Sequence, residues 1–120
     1  MTKQPESKLS ARISKEFAAR GVWSFKVHGS EYQPAGIPDI VGVYQGLFIA
    51  CESKMPEGHL SEIQKFRISR IRHAGGLVVV AYCVGDALQM LAHIEAYHLN
   101  LIWAAREHDC PYLTGVHDER

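Results

Sequence analysis

Two carboxylates and an ammonium bracket an apolar stretch: Asp39, Glu52 and Lys54 within GIPDIVGVYQGLFIACESK, residues 36–54. Side chains of these types either sit as surface charges at strand ends or come together to hold an ion. Burying three ionisable groups in an apolar hairpin is costly unless something pairs with them. Their spacing offers a way. If Gln45-Gly46 is a two-residue turn, Tyr44 faces Leu47 and cross-strand partners sum to 91, a sum that Asp39 and Glu52 also satisfy. Residues directly opposite have Cβ atoms about 4.5–5.5 Å apart, and Lys54, two positions beyond Glu52, points to the same face. Carboxylates that close repel unless a proton or cation lies between them. Mg²⁺ suits a site with few protein ligands and several waters. A three-residue loop or a bulge would shift the register, and the competing reading is three unrelated charges at strand ends.

The elements that position these residues follow from the pattern around them. Residues 5–20 read as a helix, with Pro5 in the first turn and Gly21 as the stop. Leu9, Ile13 and Phe17 make one apolar stripe. At ~100° per residue Glu6 falls about 20° from the centre of that stripe, and Glu16 nearer its edge, so either could be an inward acid. Residues 22–28 look like a strand, 38–44 and 47–54 like the hairpin, 60–74 like a second helix ended by Gly75-Gly76, and LVVVAYCV like a buried strand. Residues 86–98 predict a third helix, with Leu88, Leu91, Ala92 and Ile94 on its apolar side; LIWA, residues 101–104, reads as a short strand. The order α-β-β-β-α-β-α implies one α/β domain with a central mixed sheet and helices on both faces. On the second helix Leu60, Ile63, Ile71 and Ala74 mark the apolar face. Gln64 lies on its inward side, where it reaches the acidic pocket or satisfies buried backbone. Lys65, Arg67, Arg70 and Arg72 form a run without an acid; they meet phosphates or simply line a solvated face.

Composition bounds the rest. A chain of 120 residues is one domain by length, here a core over about residues 6–98 and an extension over 99–120. Zero formal net charge counts mildly against a general nucleic-acid binder, so the local basic run carries more weight than the total. Seven histidines show no HxxxH or HExxH spacing, so zinc is unsupported. The three cysteines, Cys51, Cys83 and Cys110, lack CxxC spacing. Two of them lie in apolar runs and read as buried reduced thiols. No apolar run approaches a membrane span, and MTKQPESKLS has no apolar leader region, so the expected location is the cytoplasm.

GIPDI, then ACESK, then LSEIQ together resemble the PD-(D/E)xK nuclease superfamily, and within it the VRR-NUC domain in its small stand-alone phage and bacterial form. The resemblance covers residues Glu6 to Tyr82. It implies an αβββαβ core and Mg²⁺- or Mn²⁺-dependent hydrolysis of DNA phosphodiester bonds in a bacterial or phage-infected cell. Carried over residue by residue, it implies Asp39, Glu52, the Ser53 backbone carbonyl and Glu6 as metal ligands. Lys54 would activate or position the attacking water, and Gln64 would complete the catalytic set. It also implies a homodimer acting on branched DNA of the Holliday-junction kind. LVVVAYCV, the third helix and LNLIW are candidates for the shared surface, with core burial the competing reading and the favoured one for the strand. The competing functions are a non-specific or sequence-specific nuclease on the same fold, and a catalytically silent nucleic-acid-binding module. Nothing in the sequence identifies a base-reading element.

Overall fold

The computed structural model describes residues 5–107, with side chains described through Tyr97. Seven elements follow in the expected order: α1 (Pro5–Ala19), β1 (Trp23–Lys26), β2 (Ile40–Tyr44), β3 (Leu47–Ser53), α2 (Glu62–His73), β4 (Leu77–Ala81) and α3 (Val84–Glu107). One sheet has the order β1-β2-β3-β4. The first three strands are antiparallel, and β4 runs parallel to β3 because α2 carries the chain back across one face.

The hairpin register is the one that places the acids opposite each other. Tyr44 pairs with Leu47, and the ladder runs back to Ile40 opposite Cys51. The turn needs two left-handed residues to match strand twist, and Gln45 and Gly46 supply them with φ of 51° and 83°. Gln45 does so without glycine's freedom, and its Oε1 is buried without a hydrogen-bond partner. Gln45→Asn, which tolerates the left-handed region better, is expected to raise stability by about 1 kcal/mol, read as a rise in thermal midpoint; an unchanged or lower midpoint would contradict the strain.

Strand alternation sorts the side chains into two cores. Leu9, Ile13 and Phe17 of α1 meet Ile40, Tyr44, Ile49 and Cys51 of the sheet and Ala87, Leu91 and Ile94 of α3. On the other face Ile68 of α2 covers Ala50 and Val78, with Val41, Leu60, Ile71 and Val80 packed around them. The Tyr44 hydroxyl donates to Glu95 and ties the hairpin to α3.

Four expectations change. Residues 101–104 are helical, because α3 continues to Glu107; no glycine or proline interrupts the chain between Gly85 and that point. Cys83 is exposed rather than buried, since it lies beyond the end of β4 at the start of α3. Cys51 is buried, and burial pushes its thiol up to about 12; Cys110 lies outside the described residues. The sheet-facing residue of α2 is Ile68, while Ile63 and Ala74 are exposed, because the helix packs on β3 and β4 along the row through Gln64, Ile68 and Ile71. Ala92 is exposed on α3, whose inward row is Ala87, Met90, Leu91 and Ile94. Among the described residues no helix is long and apolar enough to cross a membrane.

Candidate active site

Asp39 and Glu52 come together at the open end of the hairpin, one step past the last ladder pair. Val27 N–H donates to the Asp39 carbonyl at 2.7 Å, which fixes the backbone as the chain enters β2. The Asp39 carboxylate in turn accepts from the Ser53 N–H at 2.9 Å, bridging the two strands. Glu52 is only 3% exposed. Its carboxylate accepts a hydrogen bond from Gln64 Nε2 at 3.2 Å.

Gln64 does two jobs with one amide. Its Oε1 accepts from the Ser61 N–H at 2.9 Å and its Nε2 reaches Glu52, while its backbone N–H donates to the Ser61 hydroxyl at 3.2 Å. This is a capping box, so the interaction that starts α2 also aims an amide at Glu52. Burial is the main reason that the Glu52 carboxyl is raised to about 7. The Asp39 charge adds to the rise, Lys54 opposes it, and Glu6 adds a smaller push. Lys54 lies just past β3, half-buried, with its N–H on the Ala81 carbonyl at 2.9 Å. Among the described residues the ion pairs are Arg20–Glu16 and Lys65–Glu62, both on the surface. Among the described residues neither Asp39 nor Glu52 has a cationic partner at contact distance.

The first-helix acids separate. Glu16 pairs with Arg20 on its own helix. Glu6 turns toward the chain after β3, its Oε2 3.5 Å from the Met55 N–H. One turn on from Glu6, the Ser10 hydroxyl donates to the Ser53 hydroxyl at 2.8 Å, both fully buried. That contact escaped the sequence reading, although Ser10 is four residues from Glu6 and so on the same face. Among the described residues no three His, Cys, Asp or Glu side chains stand together as a ready metal-ligand set. The pair at the centre nevertheless suits a hard divalent cation: two oxygen donors, one of them desolvated and short of counter-charge.

The basic run divides. Arg67 Nε donates to the Ala35 carbonyl at 2.8 Å, and Arg72 Nη2 to the Val78 carbonyl at 2.8 Å. Lys65 pairs with Glu62 at 3.3 Å, and Arg70 is exposed. Arg67 thus pins the loop that leads into Asp39, helped by Gly36, which has φ of +79° and lies so close to the Ile63 backbone that a Cβ there would be 2.8 Å from its carbonyl oxygen. A cleft of about 320 Å³ lies between this loop and Asp39, lined in part by Ser30, Gln33 and Gly36. Gly36→Ala is therefore expected to destabilise the fold by about 1–3 kcal/mol and to loosen the loop beside Asp39; an unchanged melting curve would show that the loop is not held there.

The arrangement of four strands, two helices on one face and a crossover helix on the other, with acids at a hairpin mouth, can be set beside solved structures. A VRR_NUC domain structure superposes with a TM-score of 0.57 at 18% identity, covering 80% of this chain and 99% of that one. This chain has the VRR-NUC fold. It is an α/β architecture of the restriction-endonuclease-like kind, a mixed four-stranded sheet with helices on both faces. The Holliday junction resolvase Hjc of Archaeoglobus fulgidus is also similar, at 24% identity and a TM-score of 0.49, over 62% of this chain; the chain spans 65% of that resolvase. No family model matches the sequence, and no curated protein matches it.

Proposed function

We propose that this chain is a divalent-metal-dependent DNA endonuclease that acts as a homodimer on branched DNA. The observation that carries the nuclease reading is the juxtaposed pair Asp39 and Glu52, with Glu52 buried and facing no contact-distance cation, on a VRR-NUC fold.

Asp39, Glu52 and the Ser53 carbonyl would hold Mg²⁺ or Mn²⁺, with Glu6 holding it directly or through a water. Bound there, the cation supplies Lewis-acid polarisation of the scissile phosphoryl group. The chain's own contribution is preorganisation. The Ser53 N–H fixes the Asp39 carboxylate, and Gln64 fixes Glu52 from the capped start of α2. Lys54, as an ammonium, orients the attacking water and offsets negative charge as it grows on the phosphate. Lys65 and Arg70, whose side chains are not committed to backbone carbonyls, meet phosphates of the DNA. Arg67 and Arg72 serve chiefly to hold the loop and β4.

This division makes a measurable difference. A Lys65→Ala, Arg70→Ala double variant is expected to bind DNA more weakly, with the slope of log affinity against log salt reduced by about 2, and to melt like the parent. An unchanged slope would return both residues to an ordinary solvated face.

The preference for branched DNA follows from number and symmetry. One chain carries one such pair of acids and so cuts one strand, whereas symmetric resolution of a four-way junction takes two cuts. A two-fold dimer supplies two sites in that symmetry. The test is cleavage in Mg²⁺ of linear, flapped, forked and four-way DNA at equal concentration. Faster, paired cutting of the four-way substrate is the expected result. Equal rates on linear duplex and junction would make the enzyme a nuclease without structural preference.

A further inference from the structure

Trp23, Phe25, Val43 and Phe48 form an apolar strip that no other part of the described chain covers. They are 67%, 52%, 45% and 44% exposed. Trp23 pairs with Val43, Val43 with Phe48, and Phe25 with Val41 across the sheet. Directly paired residues share a face, and Val41 packs with Ala50 beneath α2. The strip is therefore the half of the α2 face that α2 leaves open. Alternation puts Asp39 and Glu52 on the same face, beyond its end. The rings of Trp23 and Phe25 meet edge to face, with centroids 5.7 Å apart, so the strip is already packed against itself.

We infer that this strip is the centre of the contact between two copies of the chain. The inference rests on the homodimeric reading above and names its surface. Phosphate binding needs lysine or arginine, and no strip residue carries charge, so a DNA backbone gains little there. Interface centres, by contrast, are depleted in charge and rich in aromatic residues. At ~150–250 Å² for a whole aromatic side chain, the four exposures amount to about 400 Å² per chain. That is about half of the ~800 Å² that each partner buries in a standard interface. The remainder fits a rim that includes β1, which stands at the sheet edge with a single neighbouring strand. A two-fold operation lays the strip on its own copy, so each uncharged apolar strip meets another. It also leaves an acidic pair at each end of the joined strips. This surface differs from β4, whose Val78 and Ala81 are core, and from LNLIW, whose side chains lie outside those described.

The experiment is light scattering of the full chain at tens of micromolar, without DNA or metal, on wild type, Trp23→Lys, Phe48→Lys and a Tyr97→Lys control. Tyr97 is 73% exposed on α3. The first two positions are exposed enough to accept lysine, and circular dichroism checks the fold. The expected result is a dimer for wild type and Tyr97→Lys, and about a hundredfold weaker self-association for the two strip variants. A wild-type monomer would overturn the inference, including one in which residues 108–120 or unpaired nucleobases cover the strip. A dimer that survives both strip substitutions would overturn it equally, by placing the contact elsewhere. Mass is read independently of cleavage. A strip-dependent dimer that cuts no DNA would uphold the interface and defeat the nuclease reading. A monomer that still nicks DNA would do the reverse.

Discussion

Glu52→Gln melts at a higher temperature than the wild-type chain at pH 8 in metal-free buffer, and the advantage disappears near pH 4. The Glu52 carboxyl is raised to about 7, above its ordinary 4.5. A raised carboxyl favours the folded state while protonated, and this benefit is lost as pH rises from the unfolded value through the folded one. At pH 8 the wild-type protein therefore carries an ionised, buried carboxylate at a cost of about 3 kcal/mol. Glutamine keeps the shape and still accepts from Gln64 without that charge. Added Mg²⁺ or Mn²⁺ should close much of the gap by stabilising the wild type more, since a ligand that binds only the folded state raises stability with the logarithm of its concentration over its Kd once that ratio is large. The measurement is a set of thermal melts at pH 4, 6 and 8 with and without metal. A midpoint difference independent of pH would mean that Glu52 is not the strained carboxylate described.

Asp39→Ala abolishes cleavage, by at least about a thousandfold, while the protein stays folded. Lys54→Ala loses turnover to a similar degree for a different reason, and the two are separated by metal binding. Without Asp39 one of the two juxtaposed carboxylates is gone, so Mn²⁺ affinity falls with activity. Without Lys54 the carboxylates remain and Mn²⁺ affinity is largely kept, because the ammonium acts on the water and the phosphate. Calorimetric Mn²⁺ titration beside single-turnover cleavage reads both. Near-normal turnover in Lys54→Ala would reduce Lys54 to a strand-end charge, and retained cleavage in Asp39→Ala would remove the site.

The hairpin was legible because its geometry is local. A two-residue turn at Gln45-Gly46 leaves one register, and that register alone puts Asp39 opposite Glu52. The order of elements, and hence the mixed sheet, followed from apolar periodicity in the same way. What escaped depends on where elements land on one another. The basic run singled out Arg67, but the sequence could not show that the loop carbonyl of Ala35 would receive it. The apolar pattern marked Ile63 as core, yet Ile63 borders Gly36 and stays exposed, because α2 meets the sheet through Ile68. Alternation in VWSFKVH sets Trp23 and Phe25 on one face, but only the tertiary structure reveals that this face is left bare. Cys83 and LIWA were misassigned for a simpler reason: short apolar runs do not by themselves distinguish strand from helix.

The most direct measurement is nicking of a four-way DNA junction by the purified wild-type chain in Mg²⁺, repeated after adding excess chelator and again after restoring Mg²⁺. Strand cleavage in Mg²⁺, none in chelator, and full recovery on restoration are expected. Cleavage that persists in chelator, or a folded dimer that cuts no strand in Mg²⁺ or Mn²⁺, would contradict it.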